Sequence, residues 1–299
     1  MLTKNHQSRR CTAALVCFTG LVVNNAAENG FKPHEMGCGI AVRPSVLAIR
    51  HGLTQWNADQ RWQGWADIAL SSVGERQAEV GAMTLGGLLS EDGRAVRIVA
   101  SDLVRARRTA EFFATGLGIE HAAIDIRCGL RERNVGQWSG RTTREIEQRW
   151  PGMLEAWRNG SITELPEGES EHGFRERIAE VLAEVVHDSA ARGDIVVLVS
   201  HGGVIGTFDR MLGLERIHVG NVSGRWFGLA APTLAAHSAV ELPKGSLADE
   251  GAARLRSQPA LAAVQGFGAV DLLSDDLLAR FGKSSNGGER IERTVGNAL

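Results

Sequence analysis

Three short runs dominated by apolar residues constrain the fold of this chain most. They are Val46-Leu47-Ala48-Ile49 ending on Arg50, "RIVA" at 97–100 and "IVVLV" at 195–199. Each has the length of a strand and shows no polar alternation, the mark of a strand buried on both faces. A weaker run, "AAIDI", covers 122–126, and "RWFGLA" at 225–230 supplies a candidate last strand. Between the runs the apolar residues recur at helical spacing, over about 74–90, about 104–117 and from Ser170 to about Ala191. Strands alternating with helices predict an α/β fold, a three-layer α/β/α sandwich on a mostly parallel central sheet.

The texture divides the chain into an N-terminal extension over 1–44, a central domain over 45–230 and a C-terminal appendage over 231–299. The appendage reads as partly helical or disordered, with one amphipathic piece, "LLSDDLLARF", at 272–281. The N-terminal "MLTKNHQSRR" is basic and is followed by a thirteen-residue apolar run. That is the layout of a secretory signal, and the run is too short for a membrane span. A plain unstructured extension is the simpler reading, with Met36 standing just before the first strand; export is the minority reading, and the expected location is the cytoplasm without stable membrane association. The cysteines, Cys11, Cys17, Cys38 and Cys128, form no CxxC pair and no zinc-ligand spacing. The catalytic region is therefore thiol-poor, as suits a reducing compartment. A net charge of −2 argues against general nucleic-acid binding.

Ligands of open α/β sheets bind beyond the carboxyl ends of the strands. The first strand ends in Arg50-His51-Gly52 and the second in "SDLVRARRTAEF", where Ser101 and Asp102 suit the cap of a helix carrying Arg105. The stretch "LRERNVGQWSG" after 122–126 holds Glu132, and the last long run ends in Ser200-His201-Gly202-Gly203. Taken singly, each has an ordinary explanation: a satisfied histidine, a glycine turn, a solvated arginine face, a surface acid. Together on one rim they suit a phosphate dianion, with arginine forks for its oxygens and glycines for close backbone approach. One histidine can then act as nucleophile, since imidazole titrates near ~6.5. The second, if protonated, would stabilise charge on the transferring group, and a glutamate would protonate the leaving alkoxide and later activate water.

These motifs resemble those of the histidine phosphatase superfamily, also called the phosphoglycerate mutase-like family. Its RHG-x-T-x-x-N signature stands as Arg50, His51, Gly52, Thr54 and Asn57. "RWQGWADIALSSVGERQA" (61–78), "SDLVRARRTA", "LRERNVGQWSG", "PEGES" with Arg177, and "VSHGG" are similar to the segments that follow it, over about 45–230. The resemblance implies a phosphohistidine mechanism. His51 is the nucleophile, Glu132 the proton donor, and Arg50, Arg105 and His201 hold the phosphoryl oxygens with help from Asn57. Thr54, Gln63, Gly64 and Gly202 complete the implied substrate-binding set. No metal and no cofactor are implied, and the partner is a small phosphorylated metabolite: a sugar phosphate, a phosphoglycerate-type ester or a nucleoside phosphate. A homodimer is compatible with this reading.

Both phosphatases and bisphosphoglycerate-dependent mutases occur in the family. Mutases carry a long insertion after the acid motif, whereas about 34 residues separate Glu132 from Pro166 here, read as two short helices, "TTREIEQRW" and "MLEAWRN". Hydrolysis is therefore the expected activity and mutase activity the alternative, with a non-catalytic phosphate-ligand binder behind both. "LRERNVGQWSGRTTREIEQRWPGMLEAWR" looks closest to the broad-specificity branch, which includes enzymes acting on α-ribazole phosphate and glucosyl-3-phosphoglycerate. Substrate choice would rest on 137–166 and on Arg61, Trp62 and Gln63, unless these form a packed lid. Other hydrolase signatures fail: six residues past Cys128 stands Asn134, not arginine, and neither G-x-S-x-G nor a P-loop is present.

Overall fold

A computed structural model describes residues 44–215, 217–229 and 264–273. Within them a six-stranded sheet is built from β1 (Val46–Arg50), β2 (Val96–Ser101), β3 (Asp125–Arg127), β4 (Ile195–Ser200), β5 (Ser223–Leu229) and β6 (Val264–Asp271), ordered β3-β2-β4-β1-β5-β6. β3, β2, β4 and β1 run parallel to their neighbours, while β5 and β6 add on antiparallel. The helices are α1 (Gln55–Ala58), α2 (Ser72–Ser90), α3 (Val104–Leu117), α4 (Thr143–Arg149), α5 (Met153–Arg158), α6 (Glu171–Arg192) and α7 (Gly202–Leu212).

The central strands are apolar throughout because side chains alternate between two buried faces. Val46 and Ala48 of β1, with Val196 and Leu198 of β4, meet Phe174, Ile178, Leu182, Val204 and Phe208 of α6 and α7. Leu47 and Ile49, with Val197 and Val199, meet Leu85, Ala110 and Phe113 of α2 and α3. The three-layer sandwich expected from the runs is thus observed. The parallel register aligns Arg50 with Ser200, and the His51 N–H continues the ladder to the Ser200 carbonyl at 3.0 Å. That alignment brings the residues following β1 and β4 to one rim, side by side.

A smaller cluster lies outside the two main layers. Trp62, Val135, Trp138, Ile146, Leu154 and Leu165 pack together, and the rings of Trp62, Trp138 and Trp157 meet edge-on at 5.4–5.9 Å. α4 and α5 belong to this cluster, so the short connection after Glu132 folds on its own small core.

Two local expectations are revised. The N-cap of α3 is Leu103, not Ser101 or Asp102, and the Val104 N–H donates instead to Asp67 Oδ1 at 2.6 Å. In the segment read as an appendage, β6 pairs with β5 along the sheet edge, with Ser223 opposite Asp271 and Leu229 opposite Val264. The readings for 1–43, and for the amphipathic piece from residue 274 onward, lie outside the described residues. No described helix is long and apolar enough to cross a membrane.

Arg225 ties β6 to the body of the fold. Its guanidinium donates to the carbonyls of Phe267 (3.1 Å) and Glu215 (2.9 Å). Its Nε lies 2.9 Å from Oδ1 of the fully buried Asp209 on α7, an ion pair whose alignment falls short of a hydrogen bond. Burial pushes the Asp209 carboxyl up, and Arg225 opposes that shift. Removing the carboxylate strands a buried guanidinium, so Asp209→Ala should lower unfolding free energy by about 3 kcal/mol. Urea titration followed by circular dichroism checks this; a midpoint equal to wild type would show that the pair contributes nothing.

Candidate active site

The loop after β1 is pinned before it carries any chemistry. The Gly52 N–H donates to Thr109 Oγ1 and the Leu53 N–H to Gln77 Oε1, both at 3.0 Å. Here the chain passes so close to α2 that a Cβ on Gly52 would come within 2.5 Å of the Gly74 carbonyl oxygen, and one on Gly74 would collide with Leu53. Only glycine fits such an approach on both sides. Asn221, between α7 and β5, donates from Nδ2 to the His51 carbonyl at 2.8 Å.

His51 is buried and its tautomer follows from its neighbours. Nδ1 lies 2.7 Å from the Gly52 carbonyl, which can only accept; Nε2 lies 3.2 Å from Arg105 Nε, which can only donate. The ring proton is therefore assigned to Nδ1, and Nε2 carries the lone pair. Burial, then the charges of Arg105 and Arg50, hold this imidazole well below the usual histidine range, so it is neutral at pH 7. A neutral ring with an in-plane lone pair is a nucleophile.

Arg105 is anchored by its two terminal nitrogens, which donate to the carbonyls of Ala66 and Gly64 at 2.8 Å each. Burial lowers its pKa to about 10, so it remains a cation at neutral pH. Arg50 donates from Nη1 to the Val219 carbonyl at 2.9 Å and lies over Gly202, while its buried Nε has no protein acceptor. His201 stands beside His51 with ring centroids 5.2 Å apart. Its Nε2 is 2.9 Å from Ser101 Oγ, and its buried Nδ1 has no protein partner. Burial, then the charge of Arg105, repulsion from His51 were it protonated, and the charge of Arg50, hold His201 well below the usual range. It is thus neutral in the protein alone, where the sequence considered a protonated ring.

Glu132 is placed from three sides. Its Oε2 accepts from the Gly203 N–H in the first turn of α7 (2.9 Å), and its Oε1 from the Arg133 N–H (2.8 Å). A Cβ on Gly203 would sit 2.3 Å from Oε1, which accounts for the second glycine of "SHGG". The Glu132 carbonyl accepts from Trp65 Nε1 at 2.7 Å and Arg177 Nη2 at 2.9 Å. On one side Arg131 forks onto Asp102, holding that carboxyl below its ordinary range; on the other Arg133 pairs with Glu171 at 2.6 Å.

The remaining residues chosen from sequence divide by role. Thr54 and Asn57 form a capping box at α1: Thr54 Oγ1 accepts from the Asn57 N–H at 3.1 Å, and Asn57 Oδ1 from the Thr54 N–H at 3.3 Å. With Oδ1 so engaged, Asn57 has its NH₂ end to offer a ligand. Gly64 supports Arg105 through its carbonyl. The buried Gln63 Oε1 has no protein donor. Trp62 is buried in the tryptophan cluster, and Arg61 binds the Gly140 carbonyl and Glu145, so both behave as lid packing. Sequence reasoning did not single out Trp65, Arg131, Arg133 or Asn221, and it gave Ser101 only a capping role. Their partners lie far away in the chain, and no local pattern announces them.

Comparison with known proteins agrees with this geometry. A model of the histidine phosphatase superfamily (branch 1) matches residues 46–223. The chain belongs to the histidine phosphatase superfamily. It is similar to the probable phosphoglycerate mutase GpmB of Citrobacter koseri, 38% identical over 168 residues, covering 54% of this chain and 71% of the relative. It is 34% identical over 210 residues to the glucosyl-3-phosphoglycerate phosphatase of Mycolicibacterium vanbaalenii, covering 68% of this chain and 89% of that protein. Among solved structures, a mycobacterial glucosyl-3-phosphoglycerate phosphatase in complex with VO3 superposes with TM-score 0.54 at 31% identity, over 63% of this chain and 92% of its own. As a histidine phosphatase the protein is an enzyme of phosphoryl transfer with the phosphoglycerate mutase-like fold.

The two neutral rings give this histidine phosphatase a characteristic acid response. Both titrate lower in the folded state than in the unfolded chain, so the unfolded chain binds more protons below about pH 6.5, and stability rises with pH through that window. On acidification each ring should remove up to about 1.4 kcal/mol per pH unit. Carboxylates held down by arginine, such as Asp102, act only at lower pH. Denaturation at pH 7.5, 6.5 and 5.5 should therefore show a small loss over the first step and a larger one over the second, both shallower in His201→Gln. Equal stability at all three values would contradict the neutral assignment.

Proposed function

We propose that this enzyme is a metal-independent phosphomonoester hydrolase, acting in the cytoplasm through a phosphohistidine at His51 Nε2. The observation that carries the reading is the locked tautomer of His51, whose lone pair stands among buried cations. Arg50, Arg105 and His201 offer N–H donors to the three equatorial oxygens, and the NH₂ of Asn57 joins them. Nε2 attacks phosphorus while the ester P–O bond breaks, and the departing alkoxide takes a proton from Glu132. Water then attacks the phosphohistidine, Glu132 removes its proton, the P–N bond breaks, and the lone pair returns to Nε2 as inorganic phosphate forms.

Hydrolysis is favoured over mutase activity by the connection after Glu132. Its apolar side chains are taken up by the tryptophan cluster, where a mutase uses a long insertion to retain its bisphosphorylated intermediate. The small phosphorylated metabolite is of the sugar-phosphate or phosphoglycerate-ester class, a reading supported by the glucosyl-3-phosphoglycerate phosphatases among its relatives. The mutase reading is kept because relatives at 38% identity are named as probable mutases.

The deciding experiment incubates a panel of phosphate monoesters with the enzyme in excess chelator, including 3-phosphoglycerate with and without its bisphosphate. Release of inorganic phosphate independent of bisphosphate is expected. Bisphosphate-dependent isomerisation without phosphate release would replace the hydrolase reading by the mutase one.

A further inference from the structure

We propose that Ser101 is a positioning residue that sets the tautomer of His201, so that the neutral ring donates a hydrogen bond from Nδ1 to the phosphoryl group. The inference rests on the site's being one for phosphoryl transfer and goes beyond it by assigning a proton to a ring nitrogen. Ser101 is fully buried at the end of β2. Its Oγ has two neighbours: the Leu103 N–H at 3.4 Å, a weak contact that can only donate, and His201 Nε2 at 2.9 Å.

Two arrangements of protons satisfy these distances. In the first, Nε2–H donates to Ser101. The hydroxyl proton then has no acceptor, and the buried His201 Nδ1 lone pair, on a ring 5.2 Å from His51, is left without a donor and would repel a phosphoryl oxygen. In the second, Ser101 accepts from Leu103 and donates its own proton to Nε2, and the ring proton sits on Nδ1. Only one donor is then without a protein partner, and it is the one an anion would satisfy. A buried hydroxyl proton without an acceptor is costly, which selects the second arrangement.

Arg50 Nε is a second buried donor without a protein acceptor in the same site. The ring's neutrality is consistent with this assignment: His201 is surrounded by Arg105, Arg50, His51 and Arg177, which all disfavour a further positive charge. The second histidine therefore works as a dipole whose direction is fixed by a serine on the neighbouring strand, not as an imidazolium.

The tautomer is read without substrate by long-range ¹H–¹⁵N correlation at pH 7.5, with His201 assigned by comparison with His201→Gln. Wild type should show a protonated Nδ1 and an unprotonated Nε2. Ser101→Ala should move the ring toward the Nε2–H form, lower kcat/KM by about tenfold and weaken vanadate inhibition by a similar factor. Ser101→Thr, which keeps the hydroxyl, should retain the wild-type ¹⁵N pattern. A wild-type spectrum with Nε2–H or a doubly protonated ring would overturn the proposal, as would an unchanged His201 pattern in Ser101→Ala. If the wild-type pattern is as expected in an enzyme that hydrolyses no phosphomonoester, the hydrolase reading falls and the tautomer assignment stands.

Discussion

His51→Ala should abolish turnover, with kcat falling on the order of 10⁴–10⁶-fold against every phosphomonoester that wild type accepts. The size of the effect follows from the absence of a substitute among the neighbouring side chains. The nearest imidazole, His201, has Nε2 bound to Ser101, and the arginines beside it hold no lone pair. Rapid-quench labelling with a ³²P-substrate should trap an acid-labile, base-stable adduct in wild type and none in the variant. Retention of more than about one part in a hundred of wild-type kcat would mean that the phosphoryl group never passes through this ring.

The second large effect belongs to Glu132, the proposed proton donor. Glu132→Gln preserves shape and an oxygen for one of the two backbone N–H contacts, puts a non-accepting NH₂ at the other and removes the transferable proton, and kcat should fall by about 10²–10⁴-fold. The loss should shrink for an ester such as p-nitrophenyl phosphate, whose leaving group departs without protonation. It should be largest for alkyl esters. Because the carboxylate sits against Gly203, Gly203→Ala should displace it and reproduce part of the same leaving-group dependence. An equal loss for aryl and alkyl esters would assign Glu132 to binding, not to proton transfer.

The frame of this enzyme was legible in its sequence for a physical reason. β1 and β4 are buried on both faces, so their apolar runs coincide with the observed strands, Val46–Arg50 and Ile195–Ser200. β6 was not legible. Among the described strands, "VQGFGAVD" lies at the sheet edge and bonds to β5 alone, and it contains two glycines, so nothing in its composition demands a strand. α7 begins on Gly202 and Gly203, which weaken any helical signal, although Val204, Ile205 and Phe208 bury themselves against β1 and β4.

Within the site, the histidines, Arg50, Arg105 and Glu132 were found because each stands beside a strand end or in a motif with its own spacing. Their supports were hidden. Ser101 and Asp102 look like a helix cap when read locally, but in space one bonds a ring a hundred positions away and the other an arginine twenty-nine away. Asn221 reaches the His51 carbonyl from 170 residues downstream. Contacts of that kind depend on strand order, and strand order is not written in any short window.

The paired imidazoles hang from adjacent central strands, whereas the tryptophan cluster, with α4 and α5, has a miniature core of its own. The two are thus separate packing units. A substitution inside the tryptophan cluster can therefore leave the imidazole pair, fixed by ladder alignment, as it is.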